Sequence, residues 1–110
     1  MPPVDASLLK EITRRIVAKV KPLKVILFGS YAYGKPNKDS DLDLFIIKNT
    51  KLPASKRYAL VSSALNPRIM GMDFIVRTPK EIENRLSGFD PFLEEVLSKG
   101  KVLYEKKQSC

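Results

Sequence analysis

The sequence has no histidine, which removes Ser-His-Asp and Cys-His catalysis and His-ligated zinc from consideration. Its only cysteine is Cys110, the final residue. One thiol closes no internal disulfide, so a reducing cytoplasm is the expected compartment. No apolar run approaches the ~20 residues of a membrane span. The opening MPPVDASLLK also lacks the basic-then-apolar order of a secretion signal. No membrane association is therefore expected. There is no internal repeat, and 110 residues leave room for one domain. That domain is expected over residues 1–105, with residues 106–110 as a frayed polar tail.

What is present is an ordinary globular composition with a charge bias. Hydrophobic residues make up 44% and charged residues 29%, enough apolar material for a self-sufficient core. Twenty basic residues against twelve acidic ones give a net charge of +8. The excess favours a polyanionic partner: a nucleotide, a nucleic acid or an acidic protein.

Periodicity divides the chain into alternating helices and strands. Leu8, Leu9, Ile12, Ile16, Val17 and Val20 form a helical stripe over residues 5–20, with Asp5 as cap and Pro22 beyond the end. KVILF (24–28) reads as a buried strand that breaks at Gly29-Ser30, and residues 34–40 are rich in turn formers. LDLFII (42–47) is a second strand. Pro53 opens a helix to about residue 65, with Tyr58, Val61 and Leu65 on its inner face. MDFIV (72–76) is a third strand. Thr78-Pro79-Lys80-Glu81 is a capping box that starts a helix to about residue 86. Asp90-Pro91 starts another helix, which Gly100 closes, and KVLY (101–104) is a short last strand. The pattern predicts an α/β (α+β) fold: a small mixed sheet of three to four strands flanked by about four helices. The helix between the second and third strands predicts that those two are parallel.

The carboxylates carry the chemistry. Side chains alternate along a strand, so Asp41 and Asp43 project to one side, about 7 Å apart. At an effective dielectric of ~20 they repel by roughly 2 kcal/mol. A cation between them would relieve this, and oxygen-only ligands suit magnesium or manganese. Asp73 interrupts an apolar strand, where aspartate is depleted. Parallel pairing would carry it to the other two. Three convergent carboxylates can hold two divalent ions that clamp the attacking and leaving oxygens of a phosphoryl or nucleotidyl transfer. Taken alone, an Asp-x-Asp reads instead as solvated acids on a strand edge. Gly29-Ser30, directly after a strand, is the second piece. Glycine admits a ligand close to the backbone, and a short helical turn after it aims N–H groups at an anion. Alone, it is simply a turn.

The combination GSYAYGKPNKDSDLDLFII resembles the signature of the polymerase-β-like nucleotidyltransferases, a Gly-Ser pair followed by Asp-x-Asp. The short length resembles the minimal nucleotidyltransferases (MNT) paired with HEPN partners in toxin–antitoxin systems, and MDFIVRTPKEIENRL is similar to their third-acid segment. The resemblance implies a mixed sheet flanked by helices and ATP as donor. It implies phosphate binding by Gly29 and Ser30, and two magnesium ions (or manganese) held by Asp41, Asp43 and Asp73 as catalytic residues. It also implies an antitoxin that blocks a HEPN ribonuclease by binding it or by attaching AMP to its tyrosine. A chain this short is expected to lack a second domain for the acceptor, so either a partner presents it or the chain dimerises.

Around this signature, Lys35, Lys38, Arg57 and Arg77 are candidates to steer a triphosphate or members of a solvated basic surface. Tyr31 and Tyr33 either stack on a base or pack. Phe89, Phe92 and Leu93 are expected in the core rather than in a partner patch. Direct nucleic-acid binding is the weakest reading, because no RNA-binding aromatic motif is present.

Overall fold

The computed structural model of the chain describes residues 5–34, 36, 40–67 and 70–107. The element order is α1 (Ala6–Val20), β1 (Lys24–Phe28), α2 (Ser30–Tyr33), β2 (Leu42–Ile47), α3 (Ala54–Ala64), β3 (Met72–Arg77), α4 (Pro79–Leu86), α5 (Pro91–Lys99) and β4 (Lys101–Glu105). The four strands form one sheet in the order β3-β2-β1-β4. β1 runs antiparallel to both neighbours, and β2 runs parallel to β3. This is the expected mixed sheet. The helices described number five rather than about four, because the residues after Gly29 close into the short α2.

Strand alternation splits the core in two. Val25 and Leu27 of β1, Leu42, Leu44 and Ile46 of β2, and Met72, Phe74 and Val76 of β3 bury one face against Ile12, Ile16 and Val20 of α1 and Val61 of α3. The opposite face carries Ile26 and Phe45, packed with Ile82 of α4 and Leu93 and Val96 of α5. Each such side chain contributes about 1.5–3 kcal/mol on burial, so both helix layers are firmly seated.

The termini of the helices follow the sequence closely. The Asp5 carboxylate accepts the Leu8 N–H at 2.9 Å. Thr78 and Glu81 close the capping box, with Glu81 Oε1 accepting the Thr78 N–H at 2.8 Å. Asp90 accepts the Leu93 N–H at 3.0 Å. Pro53 differs from expectation: its ψ of 161° is extended, so it caps α3 and the helix starts at Ala54. Tyr58 also departs from the predicted inner face of α3. It is 40% exposed and lies tilted against Phe74, with ring centroids 5.3 Å apart. Lys106 donates its N–H to the Leu23 carbonyl at 2.8 Å, which ties the residue after β4 to the sheet. Among the described residues, no helix is long and apolar enough to cross a membrane.

Hydrogen bonding identifies which backbone groups of β3 face outward. Leu42 donates to the Gly71 carbonyl and Lys48 to the Arg77 carbonyl, each at 3.0 Å. Odd-numbered residues of β3 therefore face β2, and Met72, Phe74 and Val76 turn their backbone groups to the open edge. Two of these are covered by side chains of the chain itself. Asp73 Oδ1 accepts the Phe74 N–H at 3.0 Å. The Val76 carbonyl accepts from Arg77 Nη1 at 3.1 Å and from Arg57 Nη1 at 3.3 Å.

Candidate active site

The site lies where β1 ends and β2 and β3 begin. The registers place Phe28 opposite Asp43 and Asp43 opposite Asp73. Neighbouring strands are about 4.8 Å apart, so two aspartates stand side by side on the face that α4 and α5 cover further along. Met72 and Phe74 point to the other face, which leaves Asp73 exposed while its neighbours are buried. Asp41 sits just before β2 and is exposed, and Asp43 is half-buried. The expected approach of Asp73 to the acidic pair follows directly from the parallel pairing.

Two glycines shape this end of the sheet. Gly29 follows β1 at φ 79°, a left-handed conformation that glycine adopts without strain. A Cβ there would overlap the Asp43 carboxylate, so the turn touches the acid directly. Gly71, just before β3, stands in the same relation to Asp41: a Cβ would overlap its Oδ1. Sequence reasoning passed over Gly71, although its place immediately before an acid-bearing strand was a signal.

After Gly29 the chain turns into α2. The Gly29 carbonyl accepts the N–H groups of Ala32 and Tyr33 at 3.0 and 3.1 Å. Within this turn the amides of Ser30 and Tyr31 precede the first such bond, as helix geometry requires. Gly29 is thus brought beside Asp43, with Ser30 next to it as the first residue of α2.

The electrostatics are those of crowded like charges. The Asp43 carboxyl is raised above the usual carboxylate range, first by burial and then by the charges of Asp73 and Asp41. Among the described residues, no three His, Cys, Asp or Glu side chains close into a cage that could hold a metal ion. The orientations account for this. Asp73 is folded onto the Phe74 N–H, Asp41 is turned to Gly71 and Asp43 to Gly29. In donor chemistry the three fit a hard divalent cation, being all-oxygen, adjacent and mutually repelling. Asp73 would have to release the Phe74 amide to join the others.

The remaining candidates separate. Arg57 is committed to structure. It binds Glu81 at 2.7 Å, the Leu52 carbonyl at 2.7 Å and the Val76 carbonyl, and its side chain is 11% exposed. That overturns it as a free cation for steering a triphosphate. Arg77 also binds Val76. Lys35 and Lys38 lie outside the described residues. Tyr31 packs against the core beneath α2, whereas Tyr33 is 40% exposed. Leu93 is core at 2% exposure, but Phe89 is 89% exposed and Phe92 45%. The expectation that these aromatics are buried fails for Phe89, because it lies in the α4–α5 connection beyond the helical stripe, and for Phe92, which stays exposed in the first turn of α5. Phe92 rests edge-on against Phe28 at 5.5 Å, beside the acidic row.

The fold and site define a small α/β domain whose acidic sheet end faces a glycine–serine turn. Residues 10–109 match the family model of polymerase beta nucleotidyltransferases, and the chain belongs to that family. No curated protein matches it by sequence. Among solved structures, it is similar to a protein of Sulfolobus solfataricus assigned to the nucleotidyltransferases, with a TM-score of 0.63 and 21% identity, covering 91% of this chain and 79% of that one. It is also similar to a mutant form of the toxin–antitoxin pair MntA–HpeT, with a TM-score of 0.62 and 18% identity, covering 90% of this chain and 74% of that one. At these identities the likeness is one of fold.

Proposed function

We propose that the chain is a nucleotidyltransferase that acts as the antitoxin of a toxin–antitoxin pair, moving AMP from ATP to a hydroxyl, expected on a tyrosine, of a HEPN-type partner toxin in the cytoplasm. The observation that carries this reading is the row Asp43–Asp73 in register, with Asp41 beside it and the Gly29-Ser30 turn in contact with Asp43. Family membership supports the reaction class, and the likeness to MntA–HpeT supports the setting.

In this reading Gly29 and Ser30 hold the triphosphate, with backbone N–H groups and the Ser30 hydroxyl as donors. Asp41, Asp43 and Asp73 would hold magnesium or manganese, two ions at full loading. The ions would neutralise the phosphate charge and polarise the reacting oxygens. The acceptor oxygen forms a bond to the α-phosphorus, and the bond from that phosphorus to the β-phosphate oxygen breaks. Pyrophosphate leaves with the electron pair, and Asp73 takes the hydroxyl proton.

A second reading is inhibition by occlusion, with transfer incidental. The exposed Phe89, three residues before the half-exposed Phe92 that rests on Phe28 at the end of β1, favours it as a contact surface for the toxin.

Incubation with magnesium, labelled ATP and the protein encoded by the neighbouring gene separates the two. The transferase reading expects label on the partner, and a loss of more than a hundredfold in Asp41→Asn, Asp43→Asn and Asp73→Asn variants that still fold. Neutralisation of the partner that survives all three substitutions would leave occlusion as the function. Absence of labelling with every partner and divalent metal tried would overturn the transferase reading.

A further inference from the structure

We infer that the outer edge of β4 receives an extended, acidic segment of another protein as a fifth strand, with apolar side chains of that segment seated in the groove between β4 and α1. The edge itself is open to pairing. β4 is terminal in the sheet. The Lys106 N–H points to Leu23, so by alternation the N–H and C=O of Glu105 point away from β1. Among the described residues, no side chain hydrogen-bonds a backbone group of β4. β3, at the other edge, is treated differently: Asp73, Arg57 and Arg77 occupy two of its outward groups, the Phe74 N–H and the Val76 carbonyl. An edge whose outward backbone groups no described side chain occupies is a template for strand addition, here on either side of the bulge at Leu103.

The ground beside the edge is apolar. A groove of about 330 Å³ runs between α1 and β4, floored by Leu9, Val17, Leu103 and Tyr104. On the opposite face of the strand Val102 is 51% exposed. An added strand would therefore find apolar contacts for the alternate side chains that face the groove.

The charge selects the occupant. Lys99, Lys101, Lys106 and Lys107 surround the edge and are all exposed, against the single acid Glu105. Glu105 already faces Lys24 at 3.7 Å. On the α1 rim of the groove, Arg14 is held by Glu11 at 2.6 Å, while Lys10 is exposed. Excess positive charge along an open strand edge fits a segment that carries carboxylates between its apolar residues. A second copy fits less well. Antiparallel pairing about Leu103 would set Lys101 opposite Glu105, but would also set Lys99 opposite Lys107 at both ends.

The test is titration of the isotope-labelled full chain, followed by amide NMR, with a capped nine-residue peptide alternating glutamate and valine. A matched peptide alternating lysine and valine is the control. The expected result is saturable shifts at residues 101–105 and on the groove side of α1, with the lysine peptide at least tenfold weaker. Glu105→Pro removes an outward N–H without touching the pairing to β1 and should abolish these shifts, whereas Glu105→Gln should retain them. Should the proline variant not fold, the double charge reversal Lys101→Glu with Lys106→Glu replaces it, with at least a tenfold loss expected. Equal binding of both peptides, shifts only elsewhere, or no saturable shift overturns the inference. Concentration-dependent dimerisation that Glu105→Pro abolishes, seen by sedimentation, would overturn it in favour of a second copy.

Discussion

At the β3 edge the outward carbonyl of Val76 is held by Arg57 and Arg77, and the outward N–H of Phe74 by Asp73. At the β4 edge the described side chains leave the backbone alone, and the lysines stand around it rather than on it. The two edges belong to one sheet, yet among the described residues only β3 has outward groups held by side chains. An edge is closed by side chains that have somewhere else to anchor. Arg57 reaches β3 because Glu81 and the Leu52 carbonyl hold it in place, and that clamp joins α3, β3 and the capping box of α4. Among the described residues β4 has no such clamp: Leu103 and Tyr104 pack on the core beside α1, with a groove left between the strand and the helix.

The contrast is most sharply tested by removing the clamp. Arg57→Ala deletes three hydrogen-bonded contacts of a nearly buried side chain and should cost about 2 kcal/mol, or about 10 °C in Tm. Thermal unfolding at neutral pH measures it. A loss under about 2 °C would mean that β3 needs no guard.

The next effect is smaller and concerns the acids that begin the same strands. Burial and its neighbours raise the carboxyl of Asp43, so its ionised form weakens the folded state above the ordinary carboxylate range, and this penalty fades as the pH falls and the group protonates. Asp43→Asn should therefore raise Tm at pH 7 by roughly 2–4 °C, after allowance for partial solvent exposure. The gain should shrink as the pH falls through the raised value and be gone below about pH 4. In the wild type magnesium should raise Tm, and in the variant this response should be lost. A lower Tm for Asp43→Asn would show that the carboxylates are structural.

Glu81 supplies the opposite sign. The Arg57 guanidinium, with help from the Thr78 backbone, holds its carboxyl below the ordinary range. Its contribution is thus complete above about pH 4.3 and is lost as the pH falls through the lowered value. Glu81→Gln should flatten the fall of Tm with acid by roughly 1–3 °C between pH 5 and 3, a modest figure because the side chain is 40% exposed. A pH profile parallel to that of wild type would separate the Arg57 clamp from ionisation.

The smallest effect is expected at β4. Glu105→Pro removes an outward N–H and a weak surface ion pair, so its stability should stay within about 0.5 kcal/mol of wild type. A large loss would mean that this edge is already occupied within the chain, and the difference between the edges would vanish.

Local chemistry made much of this legible before any fold was known. KVILF, LDLFII and MDFIV announced the strands as short apolar runs, and Asp5, Asp90 and the Thr78–Glu81 box announced helix starts. The pairing of Asp43 with Asp73 was readable because a helix between two strands makes them parallel, and parallel pairing brings their beginnings together. Arg57 was not readable. Its partners Glu81 and Val76 lie 24 and 19 residues away, and nothing local distinguishes it from a solvated cation. Phe89 was misread for a related reason: an aromatic in a short connection is buried only if another element arrives to cover it. Spacing and residue type thus settled the elements and the acids they carry, because those depend on steric and hydrogen-bonding rules acting over a few residues. The choice of which cations lock the sheet, which aromatics face solvent and which edge stays open required the packed chain, because each depends on neighbours that only folding supplies.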